Sequence, residues 1–155
     1  MSQSQRYLCF NLGKEEYAIP LLKVREVIGM PELTPIPQMP PYIMGMMNLR
    51  GNVITVMDLR SRLGIKSKST QEEAVIIVEI GPINLGCAVD AVNSVISISP
   101  SEILEKPQLE NMKSLHYIEG VIHRENSLIL LLDIGRALSI EEQQLIQQNN
   151  KPKAA

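Results

Sequence analysis

The residues of this chain with the chemistry to react are few: His116 and His123, Cys9 and Cys87, and Asp58, Asp90 and Asp133, each aspartate closing an apolar run. A nucleophile needs a base close by, yet both histidines fall in polar, loop-like stretches. His123 belongs to HREN, which reads as the tip of a hairpin between Ile122 and Leu128. The cysteines lack CxxC spacing, and two of them with two distant histidines make no tetrahedral zinc set. Neither GxxxxGK[ST] nor GxGxxG is present to cradle phosphate. The aspartates could suggest paired-carboxylate chemistry. Asp58 and Asp133, however, hold matching places in an internal repeat, which points to one structural task done twice: accepting backbone N–H groups of the turn that follows. No catalytic residue, metal ligand or cofactor is expected.

What remains is a surface rather than a reaction. NLRG, Asn48 to Gly51, sets Arg50 on a glycine turn between two apolar runs and beside Met44, Met46 and Met47. A single arginine at such a turn ordinarily pairs with a local carboxylate, and methionines ordinarily belong to a core. A thioether cluster nevertheless adapts to different partners, and glycine-flanked loops allow close approach.

The elements that would hold these residues come in two copies. YLCFNLG (Tyr7 to Gly13) and VREV (Val24 to Val27) return 68 positions later as VIIVEIG (Val75 to Gly81) and VNSV (Val92 to Val95). YIMGMM (Tyr42 to Met47) and VITVMDL (Val53 to Leu59) return 75 positions later as YIEGVI (Tyr117 to Ile122) and LILLLDI (Leu128 to Ile134). Tyr42 thus matches Tyr117, Gly45 matches Gly120, and Asp58 matches Asp133; a longer polar connection, SPSEILEKPQLENMKSLH, accounts for the change of offset. Tyr7–Leu12, Val53–Asp58, Val75–Ile80, Leu85–Val89 and Leu128–Leu132 are short Leu/Ile/Val runs bounded by Gly, Pro, Asn or Asp, and read as strands. In the first, Leu8, Phe10 and Leu12 alternate with Tyr7, Cys9 and Asn11. Five prolines between Pro31 and Pro41 make a rigid connector, with Pro37 and Pro40 in a nominal PxxP. Ser139 to Gln148 reads as a helix with a Ser139/Glu142 capping box and Leu145 and Ile146 on its apolar side. Shorter helical turns are expected after Pro20 and over Leu59 to Leu63, and the tail NNKPKAA reads as frayed.

The 155 residues suit one domain, residues 1–155, with pseudo-repeats at about 6–66 and 74–139 and a helix and tail over 140–155. The fold class is all-β: two small barrels on a shared core with a short C-terminal helix. At 45% hydrophobic and 21% charged, with a net charge of −2, the chain carries no field that would attract phosphate backbones, and its one Phe and absent Trp leave no stacking platform. Nucleic acid is an unsuitable partner. Cys9 and Cys87 read as buried small hydrophobes, no apolar run approaches a membrane span, and the N-terminus has no secretory h-region. A cytoplasmic protein is expected.

YLCFNLGKEEYAIPLLKVREVI, TPIPQMPPYIMGMMNLRGNVITVMDLRSRLG, VIIVEIGPINLGCAVDAVNSV and YIEGVIHRENSLILLLDIGRAL together resemble a CheW-type chemotaxis coupling protein over roughly residues 6 to 139. NLRG followed by a strand and DLR is the most specific part. Thr55 and Met57 depart from the usual residues without disturbing the motif. The resemblance implies two SH3-like barrels and a non-enzymatic adaptor, monomeric alone and assembled in arrays. It implies partners too, the cytoplasmic tips of methyl-accepting chemoreceptors and the histidine kinase CheA. It places a receptor-facing groove at Val24, Glu26, Val27 and Arg50, with Val75 and Val92 on the second half. The kinase-facing surface falls on Ile43, Met44, Gly45, Met46 and Met47. A pathway with another output such as pili, and a double barrel binding a small molecule between its halves, are the competing expectations. The chain reads as complete rather than as part of a receiver-fused coupler.

Overall fold

A computed structural model describes residues 4–65, 73–104, 117–124 and 127–150. His116, the 105–116 loop and the end of the C-terminal tail lie outside the described residues. The first repeat supplies β1 (Gln5–Leu12), β2 (Glu15–Pro20), β3 (Val24–Gly29), β4 (Ile43–Leu49), β5 (Asn52–Asp58) and α1 (Leu59–Arg62). The second supplies β6 (Ala74–Ile80), β7 (Ile83–Val89), β8 (Ala91–Ile98), β9 (Ile103–Leu104), β10 (Ile118–Arg124), β11 (Ser127–Leu132) and α2 (Ile134–Ala137); α3 (Ile140–Asn150) follows. All five expected strands form. The strands the sequence did not announce, β3, β4, β8 and β10 among them, interleave exposed with buried or half-buried positions and so lack a continuous buried run.

The two sheets do not follow the two repeats. One has the order β8-β1-β2-β11-β10-β9 and the other β3-β6-β7-β5-β4. Each is therefore built around the first hairpin of one repeat, flanked by the remaining strands of the other. The joints are two parallel pairings, β2 with β11 and β5 with β7, while the other pairings are antiparallel. Each sheet closes into a barrel by the same device. The chain leaving edge strand β3 returns to β4, where Thr34 and Met46 exchange backbone hydrogen bonds of 2.8 Å, and the chain leaving β8 returns as β9 against β10.

Three apolar clusters result. Tyr7, Cys9, Ala18, Ile98, Ile122, Ile129 and Leu131 fill one barrel. Met47, Ile54, Val56, Val75, Ile77 and Ala88 fill the other, with Ile28, Met30, Leu33, Met44 and Leu49 packed against them. Leu8, Phe10, Leu12, Tyr17, Ile19, Ile76, Val78, Leu85, Cys87 and Val89 form the largest cluster, between the barrels. The alternation seen in Tyr7–Leu12 is thus a division between two cores. β6 and β7 are apolar on both faces, and read as unbroken runs, because both faces are covered.

Repeat-equivalent residues do equivalent work. The Tyr42 carbonyl accepts from Asp58 N–H at 2.7 Å, and the Tyr117 carbonyl from Asp133 N–H at 2.8 Å. Asp58 accepts from the N–H groups of Arg60 and Ser61, and Asp133 from that of Arg136, so both aspartates cap the helical turn behind them as expected. Gly45 and Gly120 sit at matching register shifts, and a Cβ on Gly45 would lie 2.6 Å from the Thr34 carbonyl oxygen. On Gly120 it would lie 2.6 Å from Ile103 Cγ2 and 3.0 Å from the Leu104 oxygen. The closing segment of each barrel can approach only a glycine there.

Pro37 and Gln38 form a turn in which Gln38 takes φ +61°, so the PxxP stretch is not a continuous polyproline helix. The Ser139/Glu142 capping box forms, with Ser139 N–H donating to Glu142 at 2.8 Å and Glu142 N–H donating to Ser139 Oγ at 3.0 Å. The helix runs two residues beyond the expected Gln148, and Asn149 and Asn150, read from sequence as frayed, are bonded to the body. Gly120→Ala should lower stability by about 1–3 kcal/mol in urea unfolding, the range of strain in a tight core. Gly29→Ala, with no atom within 4 Å of the added Cβ, should stay within about 0.5 kcal/mol.

Candidate functional site

Arg50 owes its position to a two-residue turn. Leu49 pairs with Asn52, and between them Arg50 takes φ +53° and Gly51 φ +87°, the I′ geometry whose twist matches the hairpin. Asn48 Oδ1 accepts the Gly51 N–H at 3.0 Å and fixes the turn. An arginine in left-handed backbone is strained, and such strain gathers at functional positions. The side chain, 74% exposed, reaches across the barrel mouth and donates from Nη2 to Glu26 Oε2 at 2.8 Å. Glu26 stands on β3, at the opposite edge of the sheet from β4. The pair therefore links the two ends of the curled sheet while leaving the guanidinium in water.

A register shift between Val24 and Glu26 decides what surrounds this pair. Val24 pairs with Val78 and Val27 with Ile76, both members of the inter-barrel core, whereas Glu26 pairs with Ile77 and Ile28 with Val75, which face the barrel interior. The bulge thus puts Val24 and Val27, three residues apart, on one face. Val24 is half-buried and Val27 is 41% exposed, so together they form a short apolar ridge at the edge of β3. Val92 and Val95 repeat that ridge on β8 of the other sheet, opposite Phe10 and Leu8.

The structure corrects part of the expected surface. Val75 has 0% exposure and points into the barrel, so it cannot touch a partner. Met47 is likewise core at 5%, and Gly45 is covered by the segment around Thr34. Ile43 and Met44 pack against core clusters while remaining partly accessible. Met46 is half-buried and belongs to none of the three clusters. The alternation along β4 separates the methionines: Met47 is core, Met44 packs against that core, and Met46 stays half-buried outside it.

The residue that sequence reasoning passed over is Arg60, of the same DLR segment. It is 8% exposed and is held by three carboxylates: Nε to Asp58 at 2.9 Å, Nη1 to Glu73 at 3.0 Å, and Nη1 to Asp90 at 2.5 Å. Asp90 in turn accepts the Gly13 N–H at 2.6 Å. Burial alone would lower the Arg60 pKa, but the bonds to Asp58, Asp90 and Glu73 raise it, and the guanidinium stays charged. This network ties the end of β5, the start of β6, the β7–β8 junction and the β1–β2 turn, joining the two repeats. The apolar-strand-then-aspartate pattern at Asp90 was visible, but its partner, 30 residues away, was not.

The thiols, His123 and Glu119 lie apart from these arginine networks. Burial pushes the Cys9 thiol up to about 11 and the Cys87 thiol up to about 12, so both stay protonated. His123 is exposed on β10 beside the hairpin end. Glu119, raised by loss of solvent and by neighbouring Asp133, borders a cleft between the barrels lined also by Ile19, Pro20, Lys23 and Gly135. That cleft holds about 140 Å³, well below the roughly 300–1,000 Å³ of small-molecule sites. Among the described residues no group of three or more His, Cys, Asp or Glu is placed to hold a metal ion, and no helix is long and apolar enough to cross a membrane.

Comparisons with known proteins bear on the family and the fold. The CheW-like domain matches residues 6–142. The chain is 35% identical over 143 residues to the chemotaxis protein CheW of Klebsiella aerogenes, covering 92% of this chain and 86% of that protein. Against CheW of Bacillus subtilis it is 33% identical over 141 residues, covering 90% of each. It is also 30% identical over 125 residues to the protein PilI of Pseudomonas aeruginosa, covering 79% and 70%. Among solved structures it superposes on the scaffolding protein TtCheW from Thermoanaerobacter tengcongensis with a TM-score of 0.83 and 29% identity, over 93% of this chain and 94% of that one.

Two predictions follow from the contrast between the arginines and from the thiols. Arg60→Ala should cost about 3–5 kcal/mol in denaturant unfolding, because it strands three carboxylates in a nearly closed pocket, whereas Arg50→Ala should leave the Tm unchanged. A thiol reagent at pH 8 should modify neither cysteine until the protein unfolds. Because the folded thiols hold their protons above the ordinary value of 9.0, their contribution to stability is complete below pH 9 and falls as pH rises toward 11, by up to about 1.4 kcal/mol per unit for each thiol.

Proposed function

The chain belongs to the CheW-like domain family and serves as a chemotaxis coupling adaptor; within that role we propose that it joins two partners through two separate faces without catalysing a reaction. The ridge of Val24 and Val27, flanked by the Glu26–Arg50 pair, receives the helical cytoplasmic tip of a methyl-accepting chemoreceptor. Val92 belongs to the equivalent ridge on β8. Ile43, Met44 and Met46 on β4 form the face toward the histidine kinase CheA. The protein acts in the cytoplasm, reaching the inner face of the membrane through its receptors.

The observation that carries this reading is Arg50: a strained, solvent-facing arginine, held by a glutamate from the opposite sheet edge, beside apolar residues left uncovered. An ion pair so exposed adds little to the fold, so its geometry is explained by what it presents. A helix docking into an apolar groove with one charged anchor is a common recognition mode, and modest interfaces suffice where an array supplies avidity.

Arg50→Ala should weaken receptor co-sedimentation about tenfold or more, the loss expected of an interface anchor, while circular dichroism stays unchanged. Met46→Asp should weaken affinity for the kinase by a similar factor and leave receptor binding intact. Unaltered receptor-dependent kinase activation with Arg50→Ala, or unaltered kinase affinity with Met46→Asp, would remove the corresponding face from this account.

A further inference from the structure

We infer that α3 is a displaceable strap, latched by side-chain amides and one carboxylate, which opens without unfolding the barrels and holds the entry to β4 in place while closed. The helix lies over β5 and β7, yet Ile146 is its one fully buried residue, and its first residue, Ile140, is 74% exposed. Ile146 is seated in the inter-barrel core, and the other attachments of the helix are polar. Glu142 accepts from Tyr42 Oη and from Arg62 Nη2, the latter at 3.1 Å. Asn149 Nδ2 contacts the Met39 sulfur at 3.9 Å, and Gln143 Nε2 donates to the Gly135 carbonyl at 2.9 Å.

Asn150 carries the latch. Its Oδ1 accepts from Thr55 N–H at 2.9 Å and from Thr55 Oγ1 at 2.8 Å, while its Nδ2 donates to the Asn84 carbonyl at 2.7 Å. The side-chain amide thereby spans the β5–β7 seam as one more peptide unit of the ladder would. Thr55 has 0% exposure under it. When α3 lifts, these three groups meet water instead of being stranded, so the apolar cost of release is confined to uncovering Ile146 and the side chains it packs on. An eleven-residue helix with no partner is not stable in water, so lifting and melting are one event, and segments with few buried apolar contacts open locally.

The strap reaches the function through Met39 and Tyr42. Tyr42 directly precedes β4 and Met39 lies four residues before it; both contact α3, so opening frees the lead-in to Ile43, Met44 and Met46. This part rests on the kinase-facing assignment of β4 proposed above.

Hydrogen exchange of the full chain tests the strap independently of that assignment. The Thr55 amide should exchange with the α3 amides, at one common rate at least ten times faster than Ile76 and Val78, although it lies in the middle of β5. Cross-linking Met39→Cys to Asn149→Cys, with Cys9 and Cys87 buried and inert, should slow Thr55 at least tenfold. A Thr55 rate equal to that of Ile76, or one unmoved by the cross-link, overturns the strap. For the link to β4, Glu142→Ala with Asn150→Ala should lower kinase affinity several-fold, and the cross-linked pair should bind at least as well as the native chain. If Met46→Asp abolishes kinase binding while both strap variants bind like the native chain, the positioning role is wrong. If Met46→Asp is itself without effect, the kinase-facing assignment fails, and the exchange rates still decide the strap.

Discussion

The structure depends on one constraint: the hairpins β1–β2 and β6–β7 are apolar on both faces, and neither can be left with a face in water. Each repeat of about 65 residues would be marginal alone, and a hairpin of this kind needs a barrel on one side and a second layer on the other. The chain meets the need by exchange. Each hairpin enters the sheet formed by the other repeat's strands through a parallel joint, β2 with β11 and β5 with β7. The outward faces of the hairpins then fill the barrels, and their inward faces meet in the inter-barrel core. Neither barrel exists without both repeats, which makes the protein a single cooperative unit.

That unity matters for a coupling adaptor. An adaptor keeps its surfaces in register only if its body does not flex, and interlocked strands do not slide past one another as two tethered domains would. The Arg60 network reinforces the same junction from its polar side, joining Asp58, Glu73 and Asp90 with the turn at Gly13. A buried ion cluster is not in itself a strong source of stability, but it fixes a unique arrangement, because every alternative strands a charge.

Arg50 and Arg60 lie ten residues apart in one motif and divide its labour. β5 connects them, so the same strand carries an exposed arginine at its turn and a buried one past its end. Solvent separates them: at the barrel mouth the Arg50 guanidinium keeps its water beside Glu26, while Arg60 is 8% exposed among Asp58, Glu73 and Asp90 and is structural. The methionines of β4 divide by the same logic, since the pleat turns Met47 inward and leaves Met46 at the rim. α3 adds a third layer over β5 and β7, held by Ile146 in the inter-barrel core and by side-chain hydrogen bonds from Glu142 and Asn150.

Much was legible in the residues alone. Period-two alternation in Tyr7–Leu12, the paired Tyr, Gly and Asp of the two repeats, and the Ser139/Glu142 box act over a few residues, and so fix strands, bulges, caps and the all-β class without knowledge of the rest. Resemblance added the candidate faces. Tertiary structure decided which of those residues a partner can reach. The one-residue shift between Val24 and Glu26, the burial of Val75 and Met47, and the pairing of Arg60 with Asp90 all depend on which strand lies alongside which. Val24 pairs with Val78 and Arg60 with Asp90, and the joint of β2 with β11 sets Glu16 beside Ile129, separations that no local propensity reaches. These pairings settle only when the exchanged hairpins close both cores at once.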